Sequence, residues 1–219
     1  MNELPFAQVR HWMFEEALPF WAAHGVDREF GGFLEDLTFD GRPTGVQFKR
    51  LRVTCRQLYV FSHAALLGWK DGAALSDRAY EYLVEKGATP NGGWARTLTR
   101  EGEIKDPTPD LYDIAFVLYA LAWRYRFSRD ATALRRAHDT LDFLETKMRG
   151  PHGGFWQWLP PSGPRLQNPH MHLTEAALAL FDATGEQRFL DLARELVALF
   201  HLALFDGRTL GERFTEDWR

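Results

Sequence analysis

Cysteine is almost absent from this chain of 219 residues, since Cys55 is the only one. A single thiol excludes an intrachain disulfide and leaves a cysteine-based zinc site without partners, as expected in a reducing compartment. Long apolar runs are also lacking, because charged side chains interrupt the first 21 residues, MNELPFAQVRHWMFEEALPFW. The sequence therefore predicts neither a signal peptide nor a membrane span, and it indicates a cytoplasmic protein.

Clustered positive charge is the third absence. The formal net charge is -4, and Lys and Arg are scattered along the chain. Such a chain offers little to a polyanion, so we expect no nucleic-acid partner. Aromatic residues are abundant instead, with 8 Trp, 17 Phe and 6 Tyr. Aromatic rings fill cores, and they also form flat platforms for sugar rings.

A triplet of two glycines and an aromatic residue repeats along the chain. Gly31-Gly32-Phe33 returns as Gly92-Gly93-Trp94 and again as Gly153-Gly154-Phe155, so both spacings are 61 residues. Each triplet follows a segment with helical periodicity and opens a short stretch rich in turn residues. Glycine permits the positive φ of a tight turn, and the residues that follow suit a short hairpin.

The repeat unit is a hairpin, a buried helix, a turn and an amphipathic helix. Helices are predicted at about 5–23, 48–68, 73–87, 110–127, 131–148, 170–184 and 187–203. The most apolar of these, 48–68, 110–127 and 170–184, form the inner layer. Such a repeat is typical of a toroid or solenoid whose units bury one another's faces.

We therefore predict an all-α fold, an α/α toroid with short β-hairpins at one mouth, in a single domain over 1–219. A fourth unit begins at about residue 204, with LFDGRTLGERFTEDWR, so the predicted arc is incomplete. An open arc exposes an apolar edge. Either a partner covers that edge or the chain is part of a longer protein.

Polar residues cluster where the three inner helices begin, so their side chains should meet at the mouth. Such a concave polar surface can hydrogen-bond a polyhydroxylated ligand. The candidates are Lys49, Arg50, Arg52, Arg56, Asp110, Tyr112, Asp113, Asn168, His170 and His172, with Trp94, Phe155, Trp156 and Trp158 nearby as stacking platforms.

Several candidates also have a purely structural interpretation. Asn168 before Pro169 suits a helix N-cap, and Asp110 has the same explanation. Arg56 can form a buried salt bridge with Asp110 or Asp113. Tyr112 is a type of residue common in cores with one bonded hydroxyl.

The histidine pair also has several interpretations. His172 shares a helix face with Ala176 and Leu180, toward the ring interior, where it can be a ligand contact or a core residue. His170 points elsewhere and is expected to have a structural or solvent role. On a helix the two rings diverge by about 200°, so we expect no metal site.

Three segments in order, TCRQLYVFSHA, DLYDIAFVLYALA and NPHMHLTEA, resemble the N-acylglucosamine 2-epimerase superfamily, and within it the mannose isomerases. The resemblance implies an (α/α)6 barrel that interconverts sugars at carbons 1 and 2 without a cofactor. It implies sugar contacts from Arg56, Tyr112, Asn168 and His172. It also implies two further proton-transferring histidines, one in a motif like PGHxxEW, and both would lie beyond residue 219.

The expected function is thus a mannose–fructose isomerase that works through a cis-enediolate, with His172 as an acid or base. A 2-epimerase acting on N-acylglucosamine or a disaccharide is one alternative, and a non-catalytic carbohydrate-binding or assembly module is another. A glycoside hydrolase would need two carboxylates from Asp110, Asp113 and Glu175. Expected partners are a sugar and either a second copy or a complementing C-terminal half.

Overall fold

The computed structural model describes residues 5–219, and this part of the chain is mainly helical, as predicted. The helices are α1 (Pro5–His11), α2 (Leu18–His24), α3 (Leu51–Leu66), α4 (Gly72–Tyr82), α5 (Leu111–Ser128), α6 (Ala131–Phe143), α7 (Gln167–Thr184) and α8 (Gln187–Leu199). The strands are β1 (Phe48–Arg50), β2 (Thr97–Thr99), β3 (Ile104–Asp106), β4 (Arg165–Leu166) and β5 (Arg213–Phe214).

The helices form two layers. α3, α5 and α7 pack side by side in the inner layer, while α4, α6 and α8 each pack on the inner helix before them. α5 lies in the middle and is buried on most sides, as its apolar sequence predicted. α8 buries one face only, with Phe189, Leu192, Ala193 and Leu196. These three helical pairs form an incomplete α/α toroid over the described residues.

Each outer helix ends in a wider π-type turn just before the next unit. The turns are Leu83–Gly87, Leu144–Met148 and Phe200–Leu204. The Gly-Gly-aromatic triplets then reverse the chain and direct the aromatic ring inward, so Phe33, Trp94 and Phe155 are almost fully buried. Of the two interpretations of Trp94 and Phe155, a platform beside a ligand or a core residue, the structure supports the second. Both belong to the core, where Trp94 Nε1 also donates to Thr140 Oγ1 over 2.9 Å.

The hairpin prediction is correct for the second unit, in which β2 and β3 pair antiparallel with Thr97 opposite Asp106. Phe48 of β1 pairs with Thr99 of β2, so one three-stranded sheet joins the first two units. β4 pairs with β5 and not with a strand of its own unit. β1 and β4 lead directly into α3 and α7, so both lie at the mouth.

The arc has the exposed apolar edge that the sequence predicted. Leu178 of α7 is 47% exposed, Val197 of α8 is 44% exposed, and Leu210 is 53% exposed. Together with Met171 and Phe205 they line an apolar groove of about 350 Å³. Within residues 5–219 no helix combines the length and the apolar character needed to cross a membrane.

Candidate functional site

Two arginines one turn apart at the start of α3 have different environments. Arg52 forms an ion pair with buried Asp113 of α5, with 2.5 Å between Nε and Oδ1. Its Nη2 also donates to Asp113 Oδ2 over 3.2 Å. Arg56 is exposed, and among residues 5–219 no carboxylate forms a salt bridge with it. The structural alternative for Arg56, a salt bridge with Asp110 or Asp113, therefore does not hold, since Arg52 occupies that position.

Tyr112 is positioned by the residues around the start of α5. Asp110 caps this helix, as expected, because its carboxylate accepts a hydrogen bond from the Tyr112 backbone N–H over 2.9 Å. The Arg52 guanidinium lies over the Tyr112 ring, 4.9 Å from its centroid. Arg56 Nη2 donates to the Tyr112 hydroxyl over 2.9 Å. These contacts fix the ring at its base, on its face and at its tip.

His172 completes the group from α7. Its ring lies 5.0 Å from the Tyr112 ring, edge to face, and 4.8 Å from the Phe116 ring. The Arg56 guanidinium lies over the same Phe116 ring, 4.4 Å from its centroid. His172 Nδ1 is 2.7 Å from Glu175 Oε2. The His172 side chain is 20% exposed, so a ligand at the mouth can reach it.

The structure thus brings together three of the four predicted sugar-binding residues, one from each inner helix. Arg56, Tyr112 and His172 form a continuous contact chain through Phe116. An open groove of about 460 Å³ begins at His172 and Phe116 and runs along α5 and α7 toward Asp182. Its size is that of a small-molecule site. Arginine, phenol and imidazole groups side by side can bind hydroxyl oxygens and stabilise a developing oxyanion.

Asn168 is not the N-cap that the sequence predicted. α7 begins at Gln167, and the N-cap position is held by Leu166, whose side chain cannot cap. Because the β4–β5 pairing ends at Leu166, the helix begins at Gln167, two residues before the start that an Asn168 N-cap would give. Asn168 Oδ1 is buried and has no hydrogen-bond partner within residues 5–219. A buried amide oxygen without a partner is costly.

His170 has the structural role that was expected of it. Nδ1 lies 2.7 Å from the carbonyl of Leu166, and Nε2 accepts a hydrogen bond from the Phe155 backbone N–H over 3.0 Å. Burial lowers the pKa of His170 to about 4, so the ring is neutral at pH 7. Both ring nitrogens are occupied, and neither is available to a metal. Within residues 5–219 no three His, Cys, Asp or Glu side chains lie close enough to hold one.

The carboxylates near the mouth are committed to structural contacts. Asp110 accepts from Gln157 Nε2 over 3.0 Å in addition to capping α5. Burial raises the pKa of Asp110. Burial also raises the pKa of Asp113 to about 7, against the attraction of Arg52. Neither carboxylate faces a partner across an open cleft, as the acid and base of a glycoside hydrolase must.

Phe116 and the structural role of Arg52 were missed from the sequence. Phe116 looked like one more apolar residue of a buried helix. The role of Arg52 had a detectable signal, because Arg52 and Asp113 are 61 residues apart and hold equivalent positions in consecutive units.

Comparison with known proteins agrees with this fold. Residues 31–219 match the model of the N-acylglucosamine 2-epimerase (GlcNAc 2-epimerase) family. The chain belongs to this family. It is 33% identical to a mannose-6-phosphate isomerase of Rhizobium meliloti (strain 1021) over 98% of this chain and 57% of the relative. It is 30% identical to a D-mannose isomerase of Thermobifida fusca, over 97% of this chain and 54% of the relative.

Among solved structures, the cellobiose 2-epimerase from Spirochaeta thermophila DSM 6192 superimposes with a TM-score of 0.91 at 28% identity. That alignment covers 97% of this chain and 57% of the epimerase. The chain therefore spans somewhat more than half the length of its family relatives. These relatives are named both as isomerases and as a 2-epimerase.

Proposed function

We propose that this chain carries the sugar-binding part of an aldose–ketose isomerase site, with mannose and fructose as the interconverted sugars. The observation that carries the proposal is the contact chain from Arg56 through Tyr112 and Phe116 to His172, which joins all three inner helices at one mouth. No cofactor is invoked, because the reaction moves protons only.

The reaction proceeds on the open-chain sugar. A base removes the proton on carbon 2, and the electron pair of that C–H bond forms the C1–C2 double bond of a cis-enediolate, with negative charge on oxygen 1. A proton moves from oxygen 2 to oxygen 1 as a proton is delivered to carbon 1. The product is the ketose, and the base is restored.

The residues at the mouth suit the oxygen side of this reaction. The Arg56 guanidinium keeps its proton throughout, so it can stabilise charge that develops on oxygen. Tyr112 and Asn168 would orient hydroxyl groups. His172 would give a proton to the reacting oxygens and take it back, since imidazole exchanges protons near neutral pH.

The base that acts on carbon 2 is assigned to a complementing segment. The family resemblance implies two further proton-transferring histidines, and the aligned part makes up 57% and 54% of the two curated relatives. The apolar edge at Leu178, Val197 and Leu210 is a suitable surface for the helices of that segment or for a second copy.

A 2-epimerase is the second candidate, and it is favoured by the superposition on a cellobiose 2-epimerase. It requires the same enediolate and the same oxygen contacts. The two activities differ only in whether the proton returns to carbon 1 or to the opposite face of carbon 2.

The test has a binding arm and an exchange arm. Saturation-transfer NMR should detect D-mannose on the wild-type chain and a loss of at least about tenfold in affinity for Arg56→Ala, in line with one charged hydrogen bond. Arg194→Ala is the matched control, because Arg194 is an exposed arginine of the outer helix α8 that pairs with Asp191 and lies outside this groove. Equal binding by wild type and Arg56→Ala would overturn the site.

The exchange arm follows deuterium incorporation from D2O into mannose, mannose 6-phosphate and cellobiose. Label in fructose at carbon 1 supports the isomerase, and label at carbon 2 of a new aldose supports the epimerase. Exchange by the isolated chain would overturn the assignment of the base to a complementing segment, while the binding role of Arg56 would stand on the first arm.

A further inference from the structure

The two ring nitrogens of His172 have different surroundings. Nδ1 lies 2.7 Å from Glu175 Oε2, whereas Nε2 makes no hydrogen bond within the described residues. An ionised carboxylate can only accept hydrogen bonds. Nδ1 must therefore carry the hydrogen of this contact, whatever the charge of the ring. In the neutral ring, that leaves Nε2 as the unprotonated nitrogen.

The helix sets up this pair through its own spacing. Residues 172 and 175 are three apart on α7, so their side chains are neighbours on one face. The Tyr112 and Phe116 rings restrict how the imidazole can rotate, since they pack against two sides of it. Glu175 holds the Nδ1 edge of the ring, and Nε2 makes no hydrogen bond within residues 5–219.

We propose that Glu175 is a positioning residue for His172, which fixes the imidazole with Nδ1 protonated and presents Nε2 to the sugar. The role of His172 rests on the proposed function, but the tautomer does not. With Nδ1 committed to the carboxylate, Nε2 is the nitrogen that gains and loses a proton during turnover. Partner carboxylates serve imidazoles in this way in other enzymes, by fixing both tautomer and orientation.

A simple surface contact is the competing interpretation, since Glu175 is 57% exposed. An exposed pair of this kind stabilises a helix very little, so a melting curve cannot distinguish the two. The tautomer of His172 does distinguish them. It is read from the 15N shifts and two-bond couplings of the ring at pH 9, above the ordinary titration range of imidazole.

The experiment compares uniformly 15N-labelled wild type, Glu175→Ala and two further variants. His172→Asn assigns the His172 signals by their disappearance. Glu186→Ala is the matched control, because Glu186 also pairs with a histidine, with 3.2 Å between its Oε2 and His138 Nε2. We expect Nδ1–H to predominate in wild-type His172 and to lose that predominance only in Glu175→Ala.

Predominant Nε2–H in the wild type, or the same tautomer ratio in wild type and Glu175→Ala, would overturn the proposal. Where the exchange assay gives turnover, with the isolated chain or with its complementing segment, Glu175→Ala should lower kcat by about 10-fold to 100-fold with little change in KM. Absence of turnover in every form would count against the proposed function and would leave the tautomer result as the deciding test here.

Discussion

Acid should weaken this fold through His170, the buried imidazole that connects the third Gly-Gly-aromatic turn to α7. Its pKa is lowered from 6.5 to about 4 by burial, and its Nε2 must stay unprotonated to accept the Phe155 N–H. The unfolded chain binds a proton at this residue below about pH 6.5, whereas the folded chain does not until about pH 4. Stability from His170 is therefore complete above pH 6.5 and is lost as the pH falls toward 4.

The size of the effect follows from the shift. A shift from 6.5 to about 4 corresponds to about 3 kcal/mol at 1.36 kcal/mol per pH unit. Asp113 acts in the opposite direction, because its pKa is raised to about 7 and protonation relieves the cost of its buried charge. The pH profile of the wild type alone thus mixes two opposing contributions, and a comparison with a variant is required.

The assay is urea unfolding followed by tryptophan fluorescence between pH 7 and pH 4 for wild type and His170→Asn. The variant should be less stable at pH 7, because the Phe155 N–H loses its acceptor. The difference in unfolding free energy should shrink by about 3 kcal/mol on going to pH 4. His152→Asn, at an exposed histidine of the same turn, controls for loss of an imidazole. Parallel profiles for wild type and His170→Asn would refute the reasoning.

Two further changes test the packing around the mouth. Arg52→Met should lower the unfolding free energy by about 3 kcal/mol at pH 8, because it leaves the Asp113 charge buried without a partner. The loss should be smaller at pH 5, where Asp113 is protonated. The control Arg126→Met should lower the unfolding free energy by less than about 1 kcal/mol. Equal losses at both pH values would contradict the ion pair. Gly32→Ala should cost about 1–3 kcal/mol more than Gly92→Ala in the same urea assay, because both have positive φ but only at Gly32 would a Cβ meet a side chain, 2.8 Å from Tyr82. Equal losses of unfolding free energy in the two variants would show that the Tyr82 ring moves aside without cost, and would contradict this reasoning.

The repeat made most of the fold predictable. A 61-residue period with alternating apolar and amphipathic helices is sufficient to indicate an α/α toroid, and it placed the inner helix starts at one mouth. Local patterns were less informative where strands intervene. The pairing of β1 with β2 converts residues 48–50 from the predicted helix to a strand. The pairing of β4 with β5, whose paired residues are 47 and 49 positions apart in sequence, moves the start of α7 and removes Asn168 from the cap.

The two arginines of α3 show why the ion pairs of the site could not be predicted from the sequence. Both lie on the same side of one helix, one turn apart, and the sequence alone allows either arginine to form an ion pair with Asp113. The structure assigns the carboxylate to Arg52, whose charge is then compensated inside the fold. Arg56 is left with neutral neighbours, the hydroxyl of Tyr112 and the ring of Phe116. A guanidinium in that position keeps its charge available to a ligand, which is the physical reason to place the developing oxyanion beside Arg56 and not beside Arg52.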